Sequence, residues 1–146
     1  MVEDDALELA QTILHDAQQR RVNIHLPVDS VNADKFDNEA TIEHTPIDLI
    51  SNDYMGLDIG PKSIDLFSEV ISRSSTLLWN GPMGVFEMDN FSKGTKAIAL
   101  SLAQATSQGA YTLVGGGDSV AAINAFNLAH HVSYVSTGGR AMIEYL

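Results

Sequence analysis

Two glycine-rich turns limit most sharply what this chain can fold into. Trp79-Asn80-Gly81-Pro82-Met83-Gly84-Val85-Phe86-Glu87 follows the β-forming run Leu77-Leu78-Trp79, and Gly115-Gly116-Gly117-Asp118-Ser119 follows Tyr111-Thr112-Leu113-Val114. Each then leads into a helix-like pattern. Strand, glycine turn, helix is the geometry in which bare backbone N–H groups and a helix N-terminus face an anion. Two such turns at one edge of a parallel sheet would make a phosphate site where open α/β sheets usually hold their ligands.

The remaining pattern supplies the scaffold. Ala6, Leu7, Leu9, Ala10, Ile13, Leu14 and Ala17 fall at helical spacing and predict a helix over 3–19, with Glu3, Asp4 and Asp5 at its start and Arg20 and Arg21 at its end. Val22-Asn23-Ile24-His25-Leu26 alternates like a strand and stops at Pro27, and residues 29–53 read as polar and turn-rich. Gly60-Pro61-Lys62-Ser63 opens a second helix with Ile64, Phe67, Val70 and Ile71 on one face. A third spans 90–107, a short fourth uses Val120, Ile123 and Phe126, and His131-Val132-Ser133-Tyr134-Val135 is the last strand before Ser136-Thr137-Gly138-Gly139. Strands alternating with helices imply βαβ units, so the expected fold class is α/β: a three-layer α/β/α, Rossmann-like parallel sheet in one domain over 1–146.

Composition excludes several classes. The 146 residues carry a formal charge of −11 and no basic stripe, which argues against nucleic-acid binding. No segment reaches the roughly 18 uncharged apolar residues of a membrane span, and Met1-Val2-Glu3-Asp4-Asp5 is acidic where a signal peptide is basic. The absence of cysteine excludes disulfides and thiolate metal sites and fits a reducing, cytoplasmic setting. The five histidines show no metal-ligand spacing, and no G-x-S-x-G elbow supports hydrolase chemistry.

Near-motifs need weighing. Gly56-Leu57-Asp58-Ile59-Gly60-Pro61-Lys62-Ser63 has a P-loop's first glycine, lysine and serine, but Pro61 removes an N–H where phosphate should be held. Helix initiation with proline in the first turn explains that stretch better. Gly115 and Gly117 fit the dinucleotide fingerprint, but its third glycine is Val120, which weakens an oxidoreductase reading. Asp118 is open to two roles, a Mg²⁺ ligand beside phosphate or a helix N-cap, and one carboxylate cannot easily do both.

The motifs together resemble one family. Leu26-Pro27-Val28-Asp29, Ala33-Asp34-Lys35-Phe36-Asp37, Met55 through Pro61, Trp79 through Glu87, Lys93-Gly94-Thr95-Lys96-Ala97, Gly115 through Ala121 and Val135-Ser136-Thr137-Gly138-Gly139 occur in this order in phosphoglycerate kinase. The likeness is to its C-terminal, nucleotide-binding domain and spans nearly all of residues 22–139. It implies phosphoryl transfer between 1,3-bisphosphoglycerate and MgADP, with Mg²⁺ as cofactor and ATP/ADP as substrate. By the same resemblance Phe36, Leu57 and Val85 would flank adenine, and Gly56 would let the base approach the backbone. Asn80 and Pro82 would sit beside the phosphates and Glu87 would bond the ribose. Gly116, Gly117 and the helix beginning at Ser119 would receive phosphate oxygens, Asp118 would ligate Mg²⁺, and the transferring group would pass Gly138 and Gly139.

The departures carry expectations too. The family's N-terminal domain with its phosphoglycerate site, and the G-G-A-K segment, are not in these residues, and Arg140 stands where the family has glycine. An arginine there would either reach a phosphate or obstruct close backbone approach. The chain alone is therefore expected to be inactive as a kinase. The alternative is a non-catalytic nucleotide-binding or assembly module. The family's sheet order is 3-2-1-4-5-6, and the pattern here corresponds to its third through sixth strands. Either residues 22–26 pair directly with 77–79, or the gap is filled by another copy or segment, which makes self-association an expectation.

Overall fold

The computed structural model describes residues 4–144, excepting the side chains of Asp4, Arg140 and Ile143. Its helices are α1 (Leu7–Gln19), α2 (Pro61–Ser72), α3 (Lys93–Ser107), α4 (Gly117–Ala125) and α5 (Arg140–Glu144), and its strands are β1 (Asp29–Ala33), β2 (Ile42–Pro46), β3 (Met55–Ile59), β4 (Thr76–Asn80), β5 (Tyr111–Gly115) and β6 (Tyr134–Val135).

The expected Rossmann-like sheet is present as a parallel β4-β5-β6 sheet flanked by helices. Period-two alternation decides which face is covered. Trp79 and Val114, paired across β4 and β5, point to the same face and pack with Ile98, Ala99 and Leu102 of α3 and Ala122 and Ile123 of α4. The buried Thr112 lies on that face, 2.6 Å from the hydroxyl of Thr106 on α3. On the other face Met142 of α5 lies against Gly115, where an added Cβ would stand 2.2 Å from the methionine methyl. Leu78, on that second face, stays 45% exposed.

Two expectations are corrected. Residues 22–26 form no strand and pair with nothing in either sheet; Val22, Ile24 and Leu26 remain exposed. Alternation alone does not make a strand, because its backbone donors and acceptors need a neighbouring ladder. Direct pairing of 22–26 with 77–79 therefore does not occur, and β4 is an edge strand bonded only to β5. Conversely, the stretch read as polar and turn-rich holds β1 and β2, which form with β3 a second, antiparallel sheet ordered β2-β1-β3. Its central strand β1 is buried at every position although three of its five residues are polar.

That burial is possible because each polar group is satisfied. Ser30 donates to Asn32 Oδ1 at 2.7 Å, and Asn32 Nδ2 donates to Thr45 across the sheet at 2.8 Å. Asp29 Oδ2 accepts from the Lys62 N–H and Oδ1 from that of Ser63, at 2.9 and 2.8 Å, so the carboxylate caps α2. Helix α1 has no buried residue, unlike α2, α3 and α4. Residues 90–107 begin as a 3-10 turn (Asp89–Phe91) and become α-helical at Lys93, and the last strand shortens to Tyr134–Val135 behind a 3-10 turn at Ala129–His131.

Candidate functional site

The carboxyl ends of the parallel strands set the site. Asn80 is level with Gly115, and Val114 with Val135, so the turns after β4, β5 and β6 emerge side by side. After β4, Gly81 takes φ +107 and donates its N–H to the Ser119 hydroxyl at 2.6 Å. After β5, Gly116 takes φ +82 and forms the N-cap of α4; a Cβ there would lie 2.3 Å from Asn80 Oδ1. After β6, the buried Ser136 donates its N–H to Val114 O at 2.8 Å and accepts from Gly138 N–H at 3.1 Å. Asn80, Gly116 through Ser119, and Gly138 with Gly139 thus gather at one rim.

Within that rim the side chains divide. Ser119 is fully buried and its hydroxyl braces the β4 turn by accepting the Gly81 N–H. Gly117 and Asp118 are exposed, and nothing lies within 4 Å of the position a Gly117 Cβ would take. The first N–H groups of α4 have no intrahelical acceptor, as in any helix. The N-cap alternative for Asp118 does not hold: the cap residue is Gly116, without a side-chain cap bond, and Asp118 lies in the first turn. Its carboxylate is free for another partner.

The residues assigned to the base side lie around the antiparallel sheet. Leu57 is buried among Val31, Ala33 and Phe91, with half-buried Val85 against them. Leu57 O accepts the Val85 N–H at 2.9 Å, which stitches the loop after β4 to β3. A cleft of about 320 Å³ brings Gly56 and Leu57 together with Pro82 and Val85, and adds Ile47 and Ile50 to its wall. Glu87 is exposed further along the same loop. Phe36 is 62% exposed on the β1–β2 turn. That turn is held to the loop by Asn38, which accepts the Asn90 N–H at 3.0 Å and whose carbonyl accepts from Asn90 Nδ2 at 2.7 Å. The side chain of Arg140, and with it the question of its reach, lies outside the described residues.

Two supporting residues went unnoticed in the sequence. Thr95, fully buried on α3, accepts the N–H groups of Met83 and Gly84 at 3.1 and 3.2 Å. Asp58, 5% exposed, accepts the Ile59 N–H at 2.9 Å and the Gly94 N–H at 2.7 Å. Burial pushes its carboxyl up to about 6, against the pull of those two N–H groups and of Lys93. The signal for Asp58 was a carboxylate between Leu57 and Ile59 in a strand-like run, which must be paired or caged. Asp29 shows the opposite balance. Burial opposes its charge, but the Ser63 hydroxyl, the N–H groups of Lys62 and Ser63, and the Lys62 ammonium outweigh burial and hold the carboxyl below its ordinary range. The P-loop-like stretch is thereby explained, since the anion at the N-terminus of α2 is the chain's own Asp29.

A parallel sheet with glycine turns and an unengaged carboxylate on its carboxyl rim places the protein in the Rossmann-like α/β class. Comparison with known proteins narrows this. The family model for phosphoglycerate kinase matches residues 1–146. Phosphoglycerate kinase of Porphyromonas gingivalis is 54% identical over 99% of this chain and 34% of its own length, and that of Chloroherpeton thalassium is 53% identical over 100% and 37%. The structure of phosphoglycerate kinase from Coxiella burnetii superposes with a TM-score of 0.92 at 38% identity, over 98% of this chain and 36% of that one. That from Pyrococcus horikoshii gives 0.76 at 28%, over 97% and 33%. The chain belongs to the phosphoglycerate kinase family, and it spans about a third of the length of these relatives.

Proposed function

We propose that this chain is the adenine-nucleotide-binding part of a phosphoglycerate kinase, a glycolytic enzyme that transfers a phosphoryl group between 1,3-bisphosphoglycerate and MgADP. The observation that carries the reading is the convergence of the three turns at one rim beside a carboxylate that does not cap its own helix. Phosphoryl transfer demands positioning and charge stabilisation more than covalent chemistry from the protein. Amides of Gly116, Gly117, Asp118 and Ser119 would take phosphate oxygens, with Asn80 and Pro82 alongside. Gly138 and Gly139 would leave room for the moving group. Gly56, Leu57, Val85 and Phe36 would hold the base and Glu87 the ribose.

Asp118 suits Mg²⁺, which usually takes one or two carboxylates plus substrate phosphates and water. When bound, the cation would neutralise polyphosphate charge. Among the described residues no group of three or more histidine or acidic side chains could hold a metal ion. Among them, too, no helix is long and apolar enough to cross a membrane. The setting we propose is the cytoplasm, with no nucleic-acid partner.

By itself the 146-residue chain is expected to bind MgADP and to show negligible turnover, because it spans about a third of the length of its phosphoglycerate kinase relatives. Calorimetry with MgADP, with and without an added N-terminal portion of the family, tests this. Activity restored by the complement supports the enzyme reading, and turnover by the chain alone near that of an intact enzyme refutes the inactivity. A second reading, a non-catalytic binding or assembly module, is favoured by the open edge of β4 and the unpacked α1. It predicts nucleotide binding without rescue. In either case the open edge supports self-association or capture of a complementary segment.

A further inference from the structure

Two glycines on different elements give way to one buried carboxylate. A Cβ on Gly84, in the loop after β4, would stand 2.4 Å from Asp58 Oδ1 and 2.6 Å from Leu57 O; one on Gly94, in the first turn of α3, would stand 2.2 Å from Asp58 Oδ1. Asp58 therefore sits in a cradle built from both. It is also the anion at the start of α3, since Ser92, the N-cap residue, makes no side-chain cap bond while Asp58 Oδ2 accepts the Gly94 N–H. A carboxylate at that place is favoured by the orphan N–H groups and the helix dipole. Around it, residues 83–85 are held from both sides: Thr95 takes the N–H groups of Met83 and Gly84, and Leu57 O takes that of Val85.

The arrangement couples three things that sequence keeps far apart: β3 with Gly56 and Leu57, the loop with Pro82, Val85 and Glu87, and α3. We infer that Asp58 is a positioning residue that locks the loop after β4 against β3 and so sets the base side of the nucleotide site. It touches no phosphate-side element in the network just described; Gly116 through Ser119 are braced separately, through Gly81 and Ser119. The inference rests on the adenine-nucleotide reading above and adds a residue to which that reading assigns no role. Asparagine is the informative replacement. It keeps shape, but it carries one acceptor where the carboxylate uses two, and turns an N–H group towards a backbone donor.

The test is calorimetry of MgADP and of magnesium pyrophosphate with the unmodified chain and with Asp58→Asn, their folding compared by circular dichroism. Asp58→Asn is expected to weaken MgADP by roughly tenfold, the equivalent of one charge-assisted hydrogen bond, while pyrophosphate affinity stays within about twofold. Parallel loss of both ligands would mean that the residue serves stability alone, and overturns the inference without touching the nucleotide reading. No binding of MgADP by the unmodified chain overturns both. Should Asp58→Asn fail to fold, amide exchange on the unmodified chain decides: MgADP, but not pyrophosphate, should slow exchange at Val85 and Gly94, by the reciprocity of coupled sites. Exchange at Gly94 indifferent to MgADP overturns the inference.

Discussion

Asp58 and Asp29 show how one residue type acquires opposite properties from its surroundings. Asp58 is raised from 3.8 to about 6, so between those pH values the folded state binds more protons than the unfolded. Its contribution to stability is therefore greatest below about 4 and declines as pH climbs to about 6. Asp29 is lowered, so its contribution is present above its unfolded value and lost as pH falls through the folded one. Urea midpoints between pH 4 and 7 should fall with pH more steeply for the unmodified chain than for Asp58→Asn; equal slopes would contradict the assignment. Trp79 offers a second residue-scale check. Its indole N–H is buried and has no hydrogen-bond partner, a state that costs about 1–3 kcal/mol. Trp79→Phe should thus cost less than about 1.5 kcal/mol, while Trp79→Ala should cost about 3–5 kcal/mol from the cavity it opens, both read from chemical denaturation.

Among the elements, the turn into α4 is the most specific in its demands. Gly116 combines φ +82 with a Cβ position 2.3 Å from Asn80 Oδ1, whereas Gly117 has open space and lies at the first position of the helix. Gly116→Ala should lose about 1–3 kcal/mol and weaken MgADP. Gly117→Ala should hold stability within about 0.5 kcal/mol yet still weaken MgADP, because its methyl would stand where phosphate approaches. Equal effects on stability would count against this geometry. This turn was legible in the sequence, since three glycines between a β-run and a helical pattern permit few structures. Strand β1 was not. Asp29-Ser30-Val31-Asn32-Ala33 looks like surface, and only Thr45, Ser63 and the first turn of α2, supplied from 13 to 34 positions away, make its burial tolerable. The 22–26 stretch failed in the other direction, an alternating run without a ladder to join.

Across the whole molecule, a compact monomer of 15.8 kDa should expose about 7,300 Å², yet this chain exposes 9640 Å². The surplus lies where partners are lacking. Leu7, Leu9 and Ile13 on α1 are 50, 62 and 51% exposed, and the edge of β4 is unpaired. A standard stable interface buries about 1,200–2,000 Å² in total, about 800 Å² on each partner, so the surplus of about 2,300 Å² is more than one such interface would cover and matches an extensive contact with a second copy or a complementary segment. Sedimentation or light scattering should therefore find species heavier than a monomer. Because a charge of −11 opposes association between like copies, the heavier fraction should grow with salt. A well-folded, strictly monomeric chain at all salt concentrations would count against it.

What the sequence by itself determined was local: the glycine turns, the helices they feed, the parallel β4 and β5, and the family, all carried by short spans whose backbone options are few. The tertiary structure alone decided which polar residues go inside and which apolar alternation stays out. Those outcomes depend on partners many positions distant, as Asp58 depends on Gly84 and Gly94 and β1 on Ser63 and Thr45. A buried polar group is stable only once its hydrogen-bond partners arrive, and no local pattern announces where those partners will come from.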